Sequence, residues 1–164
     1  MGAGGMSSFA IATLGLRQGG AIGFARCPVA ADLEAMRAWA PGAVLTLLEP
    51  GPRAEAVAKL CATLGVPWHH LPIQDYATPD AAFESAWQTT GATLRLSLSQ
   101  GGRLLLHCAG GLGRSGTIAA RLLVELNEAT PEAAILAVRA ARPGAIETPA
   151  QLAHVRAARP AGVG

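Results

Sequence analysis

Residues 103–116, RLLLHCAGGLGRSG, leave few folds open to this chain. Three consecutive leucines between a turn and a glycine-rich run suit a strand buried on both faces. Such strands occur in parallel sheets covered by helices on both sides. The glycines then force a tight turn, and Ile118, Leu122, Leu123 and Leu126 recur at helical spacing beyond it. Strand 103–107 therefore leads through a short loop into a helix over 115–127. In α/β sheets, ligands sit at the carboxyl ends of strands, where this loop lies.

The rest of the chain fits the same architecture. The runs FAIATL, AIGFA, AVLTLL and WHHLPI are short, apolar and bounded by Gly or Pro, and each reads as a strand. Thr78-Pro79, Thr130-Pro131 and Thr148-Pro149 each place a capping hydroxyl before a proline suited to a first helical turn. Leu33, Met36 and Ala40 mark a helix ending at Pro41-Gly42, and residues 53–64 mark another. Phe83, Trp87, Leu94 and Leu98 stripe a longer helix that stops at Gly101-Gly102. The expected fold is α/β, with a mostly parallel central sheet of about five strands flanked by helices. With 164 residues, 51% of them hydrophobic and 15% charged, one domain over 1–164 is expected, with loose ends at 1–6 and 160–164.

Charge and cysteine usage narrow the function. The net charge is +2, and the single lysine, Lys59, accompanies scattered arginines. No basic stripe interleaved with aromatics is present, so a nucleic-acid partner is not expected. No apolar run reaches membrane-spanning length, and MGAGGMSSFAIATLG lacks a basic n-region and a long apolar h-region, so no secretion signal is expected. Cys27, Cys61 and Cys108 lack the spacing of a disulfide framework or a structural zinc site; no metal and no cofactor is expected. Cys27 and Cys61 read as buried apolar filler, and a cytoplasmic, reducing compartment follows.

The loop carries the chemistry. Gly110, Gly111 and Gly113 let successive N–H groups of Ala109, Gly110, Gly111, Leu112, Gly113 and Arg114 converge on one centre. The following helix adds its positive end. Arg114 closes the cup with a fork suited to phosphate oxygens. At its base sits Cys108, where these donors favour a thiolate aligned for attack on phosphorus. A nucleotide-binding loop of the GxxxxGK[ST] kind is excluded, because the segment has no lysine.

The stretch HCAGGLGRSG matches the cysteine-phosphatase signature: HC, five residues, R, then S or T. It resembles the dual-specificity branch of the protein tyrosine phosphatase superfamily. The chain is similar to the kinase-associated phosphatase (cyclin-dependent kinase inhibitor 3) group, with WHHLPIQDYATPD at 68–80 and PGAIETPAQ at 143–151 as further likenesses. A composition rich in Ala, Arg and Gly points to a bacterial member. The resemblance implies Cys108 as nucleophile, Arg114 as phosphate clamp and Asp75 as general acid and base. It implies that Ser115 donates to the cysteine sulfur and that His107 orients the loop. Gln151 would position the hydrolytic water. Read without the family, Ser115 is a helix N-cap, His107 a core histidine and Gln151 an exposed helix residue. Asp80 is a rival acid, placed in the first turn of a helix begun by Thr78-Pro79.

The implied reaction is metal-independent hydrolysis of phosphoprotein monoesters, phosphotyrosine foremost with phosphoserine and phosphothreonine within reach. Family members that act on lipids and inositols carry lysines in this loop; here Ala109, Gly110 and Leu112 stand there. Two other readings share the anion cup. One is a weakly active phosphoprotein-binding module; the other is a thiolate enzyme such as a sulfurtransferase or an arsenate reductase, the last of which wants a second cysteine beside Cys108.

Overall fold

The computed structural model describes residues 8–162. The expected loose segment 1–6 and the final two residues lie outside the described residues. Within the other expected loose end, Ala161 donates its N–H to the Glu125 carbonyl at 2.9 Å.

Five strands form one sheet: β1 (Ala12–Gly15), β2 (Ala21–Ala25), β3 (Ala43–Thr46), β4 (Trp68–His70) and β5 (Arg103–His107). Their order is β1-β2-β5-β3-β4, antiparallel between β1 and β2 and parallel elsewhere. The triple-leucine strand is therefore central, flanked by β2 and β3. Leu104 and Leu106 face one core and Leu105 the other. Helices α1 (Leu33–Trp39) and α2 (Pro52–Leu64) cover the Leu105 side, through Met36, Val57 and Leu60. Helices α3 (Ala81–Ser99), α4 (Gly113–Glu125), α5 (Pro131–Ala141) and α6 (Pro149–Arg156) cover the opposite side. The C-terminal helices thus share one face, as the order of elements in the sequence requires.

Three expectations need correction. The ladder of β1 begins at Ala12, not Phe9. Phe9 and Ile11 leave it to pack against the Leu105-side core, with the Arg26 guanidinium over the Phe9 ring at 5.1 Å. Helix α3 is capped by Asp80, not Thr78. The Asp80 carboxylate accepts the Phe83 N–H at 2.8 Å from an extended backbone, because a carboxylate two residues past the threonine caps more directly. Helix α4 starts at Gly113, two residues before Ser115, so Ser115 is not its cap. The other two Thr-Pro signals hold: Thr130 and Thr148 accept from the N–H of Ala133 and Gln151.

Candidate active site

Strand β5 ends at His107, and the chain turns at once into the loop 108–112. His107 is fully buried. Its Nδ1 lies 3.0 Å from the Cys108 carbonyl, which can only accept, so Nδ1 carries the proton. Its Nε2 then accepts from the Thr46 hydroxyl at 2.7 Å, and Thr46 accepts from Trp68 Nε1 at 2.8 Å. A relay across β4, β3 and β5 thus fixes the first carbonyl of the loop. Burial pushes the His107 imidazole down to about 4, so the ring is neutral near pH 7.

The next carbonyls are also drawn outward. Ala109 O accepts from Cys27 N at 2.9 Å, Gly110 O from Arg142 Nη2 at 2.8 Å, and Leu112 O from Ile146 N at 3.1 Å. In a trans peptide the N–H points opposite to its carbonyl partner. Four bonded carbonyls, at 108, 109, 110 and 112, therefore turn the N–H groups of Ala109, Gly110, Gly111 and Gly113 the other way. One of these reaches the sulfur: Gly111 N donates to Cys108 Sγ at 3.3 Å. Glycine is required at 111, where φ is +75° and a Cβ would stand 2.3 Å from the Ala25 carbonyl carbon. The first N–H groups of helix α4 have no intrahelical partner, and its N-cap residue Leu112 supplies no side-chain cap to them.

Arg114 is buried, with its guanidinium held by the segment after β4. Nη1 donates to Ile73 O at 2.9 Å and Nη2 pairs with Asp75 Oδ1 at 3.3 Å. That segment is itself fixed to β3 and its extension, through Leu71 N to Thr46 O and Ile73 N to Leu47 O. The Asp75 side chain is 54% exposed. Asp75, Tyr76, Cys108, Leu112, Arg114 and Glu147 line one open cavity of about 180 Å³. Cys108, Arg114 and Asp75 are therefore together. Asp80 is committed to the α3 cap.

Two predicted residues stand differently from expectation. Ser115 Oγ is buried and makes no hydrogen bond among the described residues, to the sulfur or otherwise. Gln151 is fully buried rather than exposed. Its carbonyl accepts from Glu147 N at 2.8 Å and Thr148 N at 3.2 Å, and its amide donates to Ala77 O at 3.3 Å. Gln151 thereby ties the acid-bearing segment to the α5–α6 loop, and a Cβ on Gly113 would lie 3.1 Å from its amide. Tyr76 and Glu147 also line the cavity, although Glu147 reads in the sequence only as a loop residue. Tyr76, 63% exposed, adopts a φ of +62° at the rim. Neither carries a spacing signal that marks it.

Cys27 and Cys61 are buried and free. Burial raises both thiols, Cys61 to about 11, which disfavours the thiolate. Both pack in the core on the Leu105 side, whereas Cys108 belongs to the opposite core.

The family model for the Swiss Army Knife protein DSP-PTPase phosphatase domain (PTP-SAK) matches residues 20–160. The chain belongs to this family. Rat cyclin-dependent kinase inhibitor 3 is 42% identical over 86 residues, 51% of this chain and 39% of that protein. The human protein of the same name is 43% identical over 86 residues, again 51% and 39% of the two chains. The chain thus spans about two fifths of the length of these curated relatives. Among solved structures, kinase-associated phosphatase with its catalytic-site cysteine replaced by serine matches with a TM-score of 0.74. The two chains are 27% identical, with 92% of this chain and 94% of that one covered. Tk-PTP in its active form matches with a TM-score of 0.68 at 29% identity, over 82% and 88%. The five-stranded sheet and its helices are those of a cysteine-dependent, dual-specificity phosphatase domain. Among the described residues, no helix is long and apolar enough to cross a membrane.

Proposed function

We propose that this domain hydrolyses phosphate monoesters on proteins, without a metal, through a phosphocysteine on Cys108. The observation that carries the reading is the convergence on Cys108 Sγ of the Gly111 N–H, with Arg114 and Asp75 lining the same cavity. The phosphoryl group takes the loop N–H groups and the Arg114 fork as ligands. The Cys108 thiolate attacks phosphorus in line with the ester oxygen. As the S–P bond forms and the P–O bond breaks, Asp75 gives its proton to the leaving oxygen. Water then attacks the phosphocysteine while Asp75 takes a proton back. Inorganic phosphate departs with the S–P electrons returning to sulfur. Ser115, whose buried hydroxyl has no partner, donates to that returning thiolate. An unpaired buried hydroxyl costs about 1–3 kcal/mol, and this group gains its acceptor in that step. Gln151 serves both steps by fixing the segment that carries Asp75.

The substrate class is a phosphoprotein or phosphopeptide. Phosphotyrosine fits, and phosphoserine and phosphothreonine do as well, because the acid that protonates a poor alkyl leaving group lines the cavity. The loop holds no lysine to balance extra phosphates on a ring. The residues of this reaction all lie in one domain, and a thiolate nucleophile suits the reducing cytoplasm. The test is Cys108→Ser. Hydrolysis of an aryl phosphate is lost while tungstate still binds; turnover surviving this change refutes the reading.

A further inference from the structure

We propose that Arg142, outside the signature, is a positioning residue that aims the Gly111 N–H at the Cys108 sulfur. The inference rests on the reading of Cys108 as the nucleophile. Gly110 O and Gly111 N belong to one planar peptide unit, so the direction of the carbonyl sets the direction of the N–H. Arg142 Nη2 holds that carbonyl at 2.8 Å, and the N–H of the same unit lies 3.3 Å from Cys108 Sγ. The unit cannot settle elsewhere at will. Gly111 sits at φ +75° with its Cα turned against the Ala25–Arg26 backbone, so only rotation of the peptide plane is free.

Of the four outward-bonded carbonyls, those at 109 and 112 are held by backbone N–H groups and that at 108 by His107. The carbonyl at 110 alone is held by a charged side chain. A charge-assisted bond of this kind is roughly twice as strong as a neutral one. Arg142 has no carboxylate partner among the described residues. It sits at the C-cap of α5, where solvating the last helical carbonyls would be its ordinary use, yet the guanidinium reaches the loop instead. Its Nε is buried without a partner, a cost accepted in that pose. Arg142 touches neither substrate nor sulfur. It acts through the Gly110–Gly111 peptide.

The test compares Arg142→Ala and Arg142→Lys with the unmodified protein. Two readouts are taken: steady-state hydrolysis of p-nitrophenyl phosphate, and the rate of Cys108 alkylation by iodoacetamide at pH 6 relative to pH 9, followed by peptide mapping. With the N–H no longer held on the sulfur, the alanine variant loses about tenfold in kcat with KM within about twofold, and its pH 6 to pH 9 alkylation ratio falls by a similar factor. The lysine variant, which can still donate to the Gly110 carbonyl, recovers part of both. An unchanged alkylation ratio in a folded alanine variant overturns the proposal, as does a loss confined to KM. Should the alanine variant fail to fold, the lysine variant decides alone: a ratio below that of the unmodified protein supports positioning, and an equal ratio with lowered kcat refutes it. The alkylation ratio needs only the sulfur. It therefore tests Arg142 even if the unmodified protein proves to have no phosphatase turnover.

Discussion

Replacing His107 by asparagine should destabilise the fold in a manner that depends on pH. At pH 7 the imidazole is neutral and makes two buried hydrogen bonds, to the Cys108 carbonyl and from the Thr46 hydroxyl. Asparagine is too short to span both, so at least one buried group loses its partner, at about 1–3 kcal/mol each. The pH dependence follows from the imidazole held down at about 4 by burial, against an ordinary value of 6.5. Between those values the unfolded chain binds a proton that the folded chain refuses. Stability therefore falls as pH drops from about 6.5 towards 4, by up to about 1.4 kcal/mol per pH unit and about 3 kcal/mol in all. The asparagine variant lacks this term. Burial also lowers His69 and His154, but they titrate alike in both proteins and cancel in the difference. Urea denaturation at pH 7, 5.5 and 4.5 reads it directly. The penalty of His107→Asn should be largest at pH 7 and shrink on acidification. A penalty that stays constant across the three pH values refutes the buried, neutral imidazole.

Two further outcomes follow from the same geometry. Asp75→Ala should lower kcat/KM, which reports the steps up to S–P bond formation, by about 10²–10⁴ on alkyl phosphates and far less on p-nitrophenyl phosphate, whose leaving group needs no proton; a Brønsted plot of kcat/KM against leaving-group acidity measures this. Gly111→Ala should cost at least about 1–2 kcal/mol from its positive φ alone. The Cβ also meets the Ala25 backbone, so the loop must move and activity should fall at least tenfold, as thermal denaturation and initial rates will show.

The sequence reading and the structure agree where chemistry is local. Three leucines at 104–106 specify a strand buried on both sides whatever their neighbours do, and β5 is that strand. The proximity of Cys108 to Arg114 follows from five intervening residues rich in glycine. Thr130 and Thr148 cap as read, because a cap depends on three residues of chain. Thr78 failed for the same local reason, since Asp80 stood closer to the helix as a better acceptor. Contacts across the fold were illegible. Nothing in the sequence marks Arg142 as the partner of a carbonyl 32 residues away, or Thr46 as the link between Trp68 and His107. Gln151 read as surface because a glutamine in a helix usually is. Its burial depends on the turns at Glu147 and Ala77 that it satisfies.

The most direct test of the mechanism is to trap the phosphoryl group. With Asp75→Asn slowing the second step, acid quench during turnover of p-nitrophenyl phosphate, followed by peptide mapping, should find one phosphoryl mass on the peptide bearing Cys108. Phosphoryl carried by any other side chain, or sustained turnover with none carried, would contradict attack by that sulfur.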